Sequence, residues 1–351
     1  MDRAPYPSGC AVTAAALVSG RRRRTRRRWI AITALATAVL AGFALSLMLG
    51  RTVTPPQEVW AVLTGQSQSG AAFTVGELRL PRATLAVLAG FAFGIAGATF
   101  QTLLGNPLAS PDILGVTSGA GAAAVFGILV LGLNESATSL IALGGALATA
   151  AAIFLLANRG GFAGMRFILI GIGLAAILQS VTSYLLSRAA EWDMQRAMQW
   201  LTGSLTGATW AQVLPLALAS VVLLPVLLWR SRDLELLRLG TDTAQGLGVS
   251  VGWVRIVLIV AAVALLAFAT AACGPVMFVA FMAGPIAARV VGSGGSLLLP
   301  AGLMGALLVL VSDHVGQFLL GGRTPVGVVT GVLGAPTLIF LLIQLNRKAG
   351  A

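Results

Sequence analysis

The sequence RRRRTRRR, residues 21–28, runs directly into WIAITALATAVLAGFALSLMLG, residues 29–50. A spanning helix needs about 20 consecutive apolar residues, so the second stretch is long enough to cross a bilayer. It is also longer than the apolar core of a secretory signal peptide, and no cleavage pattern follows it. We therefore predict a retained first transmembrane helix. The positive-inside rule places the arginines on the inner side of the membrane.

The rest of the chain has the composition of a polytopic membrane protein. Of its 351 residues, 57% are hydrophobic and 10% are charged, whereas a soluble domain carries about 25% charged residues. Small residues let helices approach closely in lipid, and Gly90 with Gly94, or Gly115 with Gly119, has the spacing of a packing face. The sequence predicts an all-α fold of about ten transmembrane helices. Their approximate spans are 29–50, 83–104, 113–132, 137–157, 167–187, 210–229, 253–272, 275–291, 297–318 and 326–345.

The net charge of +12 is explained by topology rather than by nucleic-acid binding, and we expect no nucleic-acid partner. With the N-terminus inside and the spans alternating, the inner segments hold 17 of the 23 basic residues and the outer segments hold 6. We therefore expect both termini in the cytoplasm, a basic tail over residues 1–28, a transmembrane domain over 29–347 and a short tail over 348–351. The arginine run also predicts contact with anionic membrane lipid.

The sequence lacks the residues that common catalytic and metal sites need. Lys348 is the only lysine, so the chain has no phosphate-binding GxxxxGK[ST] loop and cannot hydrolyse ATP by that route. The single histidine, His314, belongs to no cluster with metal-ligand spacing. Asp313 beside it lies inside a predicted span, where a proton relay is one interpretation and a capping or interfacial role is the one we favour. We expect no enzyme activity, no metal site and no cofactor in this chain.

A charged segment, SRDLELLRLGTDTAQGLGV, interrupts the apolar runs at residues 231–249. Its pattern predicts a short helix, a turn at Gly240 and a second short helix. The leucines at positions 234, 236, 237 and 239 form an expected apolar face, and charged residues form its rim. We predict that a soluble partner docks on this segment. An ordinary amphipathic loop helix is the alternative.

Several short motifs follow one another along the chain and together resemble a known family. They are LPR at 80–82, GIAGATFQ at 94–101, GNPLASPDILG at 105–115, RFILIGIG at 166–173, GPVMFVA at 274–280, TPVGVVT at 324–330, GAP at 334–336 and LLIQ at 341–344. The set resembles the permease subunits of type II ABC importers for ferric siderophores and vitamin B12, over about residues 30–347. Within that family, the chain looks most like one of the two permease subunits of ferric-enterobactin importers.

The resemblance implies ATP-driven import of a ferric siderophore, of the catecholate enterobactin type, across the bacterial inner membrane. It implies a second permease subunit, with a heterodimer favoured over a homodimer. It also implies two ABC ATPase subunits that bind ATP and Mg²⁺, and an extracytoplasmic siderophore-binding protein. The segment at about 233–249 then forms the coupling helices seated on the ATPase.

The resemblance and the residue types together assign three groups of candidate residues. The predicted ATPase-coupling residues are Leu234, Glu235, Leu237, Arg238, Leu239, Gly240, Asp242, Ala244, Leu247 and Gly248. The predicted docking residues for the binding protein are Arg79, Arg82 and Arg323, because arginine takes a carboxylate bidentately. The predicted translocation path includes Thr117, Ser118, Met165, Gln179 and Ser183.

Alternatives stay open for these residues and for the cargo. Interfacial snorkelling is the alternative role for the arginines, and interhelical packing is the alternative for the path residues. The chain departs from the family pattern at Gly105, where relatives carry arginine, and at Gly284-Pro285, where they carry Pro-His. The same machine importing cobalamin or haem is one alternative function. A secondary transporter or channel is the alternative from another class.

Overall fold

The computed structural model describes residues 14–50, 52–66, 70–111, 115–157, 164–292, 294–320 and 324–349, and every regular element in these ranges is a helix. The α-helices are α1 (Ala14–Met48), α2 (Pro56–Leu63), α3 (Leu80–Leu103), α4 (Val116–Leu129), α5 (Glu135–Ala157), α6 (Gly164–Ser187), α7 (Glu191–Leu201), α8 (Trp210–Trp229), α9 (Ser231–Leu237), α10 (Thr241–Gly246), α11 (Val251–Cys273), α12 (Val279–Val291), α13 (Leu298–His314) and α14 (Val326–Ala349). Two π-helical stretches, Ala72–Arg79 and Val315–Leu319, precede α3 and follow α13.

The described helices match the predicted transmembrane spans in position and number. Eight of them are long and apolar enough to cross a membrane, and α4 and α12 are shorter apolar helices of 14 and 13 residues. Together these account for the ten predicted spans, so the predicted fold class is confirmed. The short helices α2 and α7 were not predicted. α7 is amphipathic and carries Glu191 and Asp193 in its first turn, where carboxylates stabilise the positive end of the helix dipole.

Two boundaries differ from the predicted ones. α1 begins at Ala14 instead of residue 29, so the arginine run is helical and continuous with the first span. Arginine has a high helix propensity, and the charge pattern alone does not show where a helix begins. The span predicted at 275–291 begins as helix only at Val279, after Phe278 has taken a positive φ of 63°. The chain between Cys273 and Val279 is therefore not helical.

α3 forms the centre of the bundle. In its most apolar stretch, 78% of the residues are buried, and the helix packs against α11, α12 and α13. Gly90 and Gly94 face the α13 backbone so closely that a Cβ atom on either would overlap Gly305 or Ala301. The packing face predicted for this glycine pair is confirmed, and Gly119 of α4 meets α5 in the same way.

α6 lies at the periphery of the protomer. In its most apolar stretch, 6% of the residues are buried, compared with 72% in that of α11. A helix with so few buried residues exposes most of its side chains to lipid or to another subunit. The fold therefore has a fixed centre at α3 and an open flank at α6.

Candidate functional site

The charged segment folds, as predicted, into two short helices joined by a turn. α9 and α10 flank Gly240, whose backbone has φ +102° and ψ 156°. Only glycine adopts this region of backbone conformation readily. Gly248, with φ +87°, follows α10. The angle between the two helices thus depends on a conformation that a side chain at position 240 would oppose.

Burial divides the ten predicted coupling residues into buried, half-buried and exposed groups. Leu234 is 2% exposed and Ala244 is fully buried, and both pack in the core of the protomer. The expected apolar face of four leucines is therefore wrong for Leu234, which holds α9 to the bundle. Leu239 and Leu247, 61% and 58% exposed, are the apolar residues available to a partner. The half-buried members are Glu235 and Leu237, and the other exposed members are Arg238, Gly240, Asp242 and Gly248.

Polar contacts fix the segment at one end of the bundle. Arg230 Nη1 donates to Asp233 Oδ2 at 3.0 Å. From α11, Arg255 Nη2 donates to Thr241 Oγ1 at 3.2 Å. Thr102, near the C-terminal end of α3, borders a narrow gap beside α9. The charged segment is thus anchored on both of its helices and presents its remaining surface outward.

At the opposite end of α3, Arg82 forms a bidentate ion pair with Asp313 of α13. Its Nη2 donates to Oδ1 at 2.7 Å, and its Nε donates to Oδ1 and Oδ2 at 3.2 and 3.1 Å. Gln317 Nε2 donates to Oδ2 of the same carboxylate at 2.6 Å. Asp313 is 4% exposed and Arg82 is 21% exposed. Asp313 therefore binds a neighbouring helix, and docking by Arg82 stays a prediction that must compete with this pair.

Arg79 caps the C-terminal end of α1. Its Nη1 donates to the carbonyl oxygens of Leu47 and Met48 at 2.9 and 3.0 Å and to Thr54 Oγ1 at 3.1 Å. Its Nη2 donates to the carbonyl oxygen of Thr52 at 2.7 Å. Because the last carbonyls of a helix lack intrahelical partners, this arginine has a structural role whatever else it binds.

A cavity of about 480 Å³ lies between α4, α6, α12 and α14. Thr117 and Ser118 of α4 and Gln179 of α6 line it, so the structure brings three of the five predicted path residues together. The volume is in the range of small-molecule sites, about 300–1,000 Å³. The other lining residues are Leu108, Ser110, Gly121, Thr182, Leu201, Pro275, Val276, Met277, Phe278, Phe281 and Leu338. The wall is mainly apolar, with scattered hydroxyl and amide groups.

Phe278 is a wall residue that sequence reasoning missed. It adopts φ +63°, which is strained for an aromatic residue and is commoner at functional sites. Its ring packs edge-on against Phe281 with centroids 6.4 Å apart. Any side chain at Gly334 of α14 would overlap it. The Gly-Pro pair before α12 signals a break in the helix but does not specify this backbone conformation.

One described path residue lies away from the cavity. Ser183 is exposed on α6 and does not line it. The side chain of Met165 and the whole of Arg323 lie outside the described residues. His314 Nδ1 lies 2.9 Å from the carbonyl oxygen of Leu310. Among the residues that the structure describes, no group of three or more His, Cys, Asp or Glu could hold a metal ion.

Comparisons with known proteins connect this architecture to one family. Residues 38–344 match the FecCD transport family. The chain is 39% identical over 325 residues to the ferric enterobactin transport system permease protein FepG of Escherichia coli, covering 92% of this chain and 98% of the relative. It is also 39% identical over 310 residues to the achromobactin transport system permease protein CbrC of Dickeya dadantii, covering 87% and 89%. The Fe(3+)-citrate import system permease protein YfmE of Bacillus subtilis is 34% identical over 331 residues, covering 93% and 98%.

The fold also matches a solved structure. A metal-chelate type ABC transporter in an inward-facing conformation superimposes with a TM-score of 0.80 and 25% sequence identity, covering 89% of this chain and 98% of that one. The sequence match extends over nearly the whole transmembrane bundle, including the charged segment and the arginine-bearing end of α3. The chain therefore belongs to the FecCD transport family.

Proposed function

We propose that this chain is the permease subunit of an ABC importer for iron–siderophore complexes in the bacterial inner membrane. One observation carries the proposal: the exposed α9–α10 pair at one end of a transmembrane bundle whose relatives are named as iron-chelate permeases. A bundle without its own ATP-binding loop needs an external source of work. Two partner ATPase subunits, which bind ATP and Mg²⁺, supply it by contacting this pair.

The proposed orientation puts α9, α10 and both termini in the cytoplasm. A loaded binding protein docks at the other end of α3, where Arg79 and Arg82 lie. Closure of the ATPases on ATP moves α9 and α10 as a unit, and the pore changes between outward-facing and inward-facing states. The anchoring of α9 by buried Leu234 supports this transmission, because a firmly seated helix passes force to the bundle.

A second permease subunit completes the pore. Only 6% of the residues in the apolar stretch of α6 are buried in the protomer, and Gln179 and Ser183 are exposed on this helix. Exposed polar side chains on a transmembrane helix favour a protein or aqueous neighbour over lipid. We infer that the partner permease stands against this flank and shares the cavity as a translocation path. A different partner chain is favoured over a second copy, as the resemblance to enterobactin importers implies.

For the cargo, we favour a catecholate siderophore of the enterobactin type. FepG, named for ferric enterobactin, is matched at 39% identity over 98% of its length. CbrC, named for achromobactin, is matched at the same identity over 89% of its length, so the longer match sets the preference. The Fe(3+)-citrate relative is matched at 34% identity. The mainly apolar cavity wall suits a bulky ligand that crosses without being held tightly. Cobalamin and haem are the alternative cargoes.

The function is tested by iron-55 uptake in a strain that lacks the gene and carries the wild type or a Leu239→Asp variant. A charge on this 61% exposed leucine should weaken the contact with the ATPase without disturbing the core. We expect ferric-enterobactin uptake to fall at least tenfold while the amount of permease in the membrane is unchanged. ATPase subunits should no longer co-purify with the variant.

Leu131→Asp is the matched control, because Leu131 is 50% exposed in the loop after α4. This variant should keep its ATPase subunits. Uptake that is indifferent to deletion of the gene, for enterobactin, citrate and hydroxamate chelates alike, would reject iron as the cargo and direct the assay to cobalamin and haem. Uptake that needs the gene but survives ATPase removal would instead support a secondary transporter.

A further inference from the structure

The arginine run of α1 has no role in the proposed function, and it forms an unusual surface. α1 continues through it without a break. Residues 21–27 are exposed and Arg28 is half-buried. Successive helical residues are rotated by about 100°, so seven arginines in eight positions point in all directions around the helix. We name residues 21–28 the arginine collar.

The apolar part of α1 begins directly after the collar. Residues 29–48 extend for about 30 Å at 1.5 Å per residue, which is the thickness of the hydrocarbon core of a bilayer. Trp29 is the first of them and is 58% exposed, and tryptophan favours the boundary between membrane and water. The collar itself is about 12 Å long. Its guanidinium groups therefore start at the level of the lipid headgroups.

The described part of the chain provides no counter-charge for the collar. The ion pairs there involve Arg82, Arg196 and Arg230. Arg28 Nη2 donates to the carbonyl oxygen of Ser296, while Arg28 Nη1 is buried and has no partner. An unsatisfied buried donor is costly, and more so when it is charged. An anion beside Arg28 would relieve that cost.

We propose that the arginine collar binds the phosphate headgroups of anionic phospholipids in the leaflet at the α9–α10 end of the bundle. A protein partner contacts one side of a helix, whereas lipid headgroups surround the whole helix. The arginines of the collar also lie on all sides of α1, which favours headgroups. Clusters of about four to eight basic residues directly beside a transmembrane helix are typical binding sites for anionic lipid.

The collar is connected to the charged segment through a short stretch of chain. Ser296, whose carbonyl binds Arg28, borders a narrow gap together with the two leucines that follow it. Leu234 and Arg238 form the other side of that gap. Bound lipid thus holds Arg28 and the start of α13 in place next to α9. Anionic lipid is therefore expected to affect how ATP hydrolysis is coupled to transport.

Lipid binding is tested on the complete purified transporter by native mass spectrometry in the presence of dioleoyl phosphatidylglycerol or dioleoyl phosphatidylcholine. One variant carries Gln, and another Lys, at positions 21, 22, 23, 24, 26 and 27. We expect phosphatidylglycerol affinity to fall about tenfold or more in the Gln variant and to be kept in the Lys variant. Arg188→Gln, a charge removal away from the collar, is the control. A terminal reporter fusion verifies that each variant keeps its orientation.

Three results would overturn the proposal. The first is a Gln variant that binds phosphatidylglycerol as the wild type does. The second is displacement of the lipid by inorganic phosphate, which indicates a site for a free anion. The third is a Gln variant that loses its ATPase subunits with lipid binding unchanged, which indicates a protein partner. Lipid binding is measured without siderophore, so a failed cargo assignment leaves this test intact.

The coupling part is tested in vesicles of phosphatidylcholine with and without phosphatidylglycerol. We expect phosphatidylglycerol to raise the amount of siderophore transported per ATP hydrolysed by the wild type. This gain should disappear in Arg28→Gln, which removes the contact with Ser296 and the orphan donor together. An equal gain in both proteins would refute the connection through Arg28.

Discussion

Replacing Asp313 with Asn should destabilise the protein by about 3 kcal/mol. The carboxylate is 4% exposed and accepts hydrogen bonds from Arg82 and Gln317. Removing one member of a buried ion pair costs about 3–5 kcal/mol, because the other charge is left without a partner. Arg82 is 21% exposed, so its guanidinium keeps part of its hydration, and the lower end of that range applies.

The measurement is reversible unfolding in mixed detergent micelles, followed by circular dichroism. A double variant, Arg82→Met with Asp313→Leu, removes both charges and should unfold within about 1 kcal/mol of the wild type. The single variants Arg82→Met and Asp313→Leu form a cycle with this double variant, and the coupling energy should exceed about 2 kcal/mol. A large coupling energy with a small net effect identifies a buried pair that specifies how α3 meets α13.

The exposed pair Asp193–Arg196 provides the control. Its charged atoms are 3.8 Å apart, and the side chains of Asp193 and Arg196 are 47% and 54% exposed. Exposed ion pairs contribute about 0–1 kcal/mol, and Asp193 also lies in the first turn of α7, so Asp193→Asn should change the unfolding free energy by about 1 kcal/mol or less. The reasoning from burial is refuted if Asp313→Asn costs no more than Asp193→Asn.

Three further substitutions follow from the backbone and its contacts. Gly240→Ala opposes the φ of +102° at a cost of about 1–3 kcal/mol. It should lower siderophore uptake while the amount of permease in the membrane is unchanged, whereas Gly246→Ala inside α10 should not lower uptake. Equal uptake by the two variants would contradict a required turn at position 240. Gly97→Leu drives a side chain into the α12 backbone, so size-exclusion chromatography should show no folded protein. Gly144→Leu places its side chain in open space and should be tolerated. Similar profiles for the two variants would refute the close packing. Arg79→Gln leaves carbonyls at the end of α1 without a donor and should cost about 2 kcal/mol by the same unfolding assay; a neutral result would show that water replaces the cap.

The features predicted correctly from sequence are those that local patterns determine. Apolar runs of sufficient length specify membrane spans, so the ten positions followed from composition along the chain. Gly240 between two short charged stretches predicted the α9–α10 turn, because few other residues adopt that conformation. The spacing of Gly90 and Gly94 predicted a packing face, although not which helix it would meet.

The features that were missed depend on residues far apart in sequence. Arg82 and Asp313 are separated by 231 positions, and no local pattern links them. Leu234 was expected to face a partner because a helix as short as α9 has too few residues to show which side is buried. The φ of Phe278 is set by its packing against Phe281 and Gly334. Tertiary contacts determine all three.

The position of α3 explains why both ends of the molecule depend on one helix. Arg82 and Thr102 lie near its two ends, about 30 Å apart at 1.5 Å per residue. One end is tied to α13 by the buried ion pair, and the other borders α9. Between them, glycines bring the helix into backbone contact with α12 and α13, and interiors packed this closely resist compression. A displacement of α9 is therefore not absorbed by bending α3. It must be passed on to the helices around it, and α6, which has the smallest buried share of the eight long helices, is the long helix that lies least within this packing.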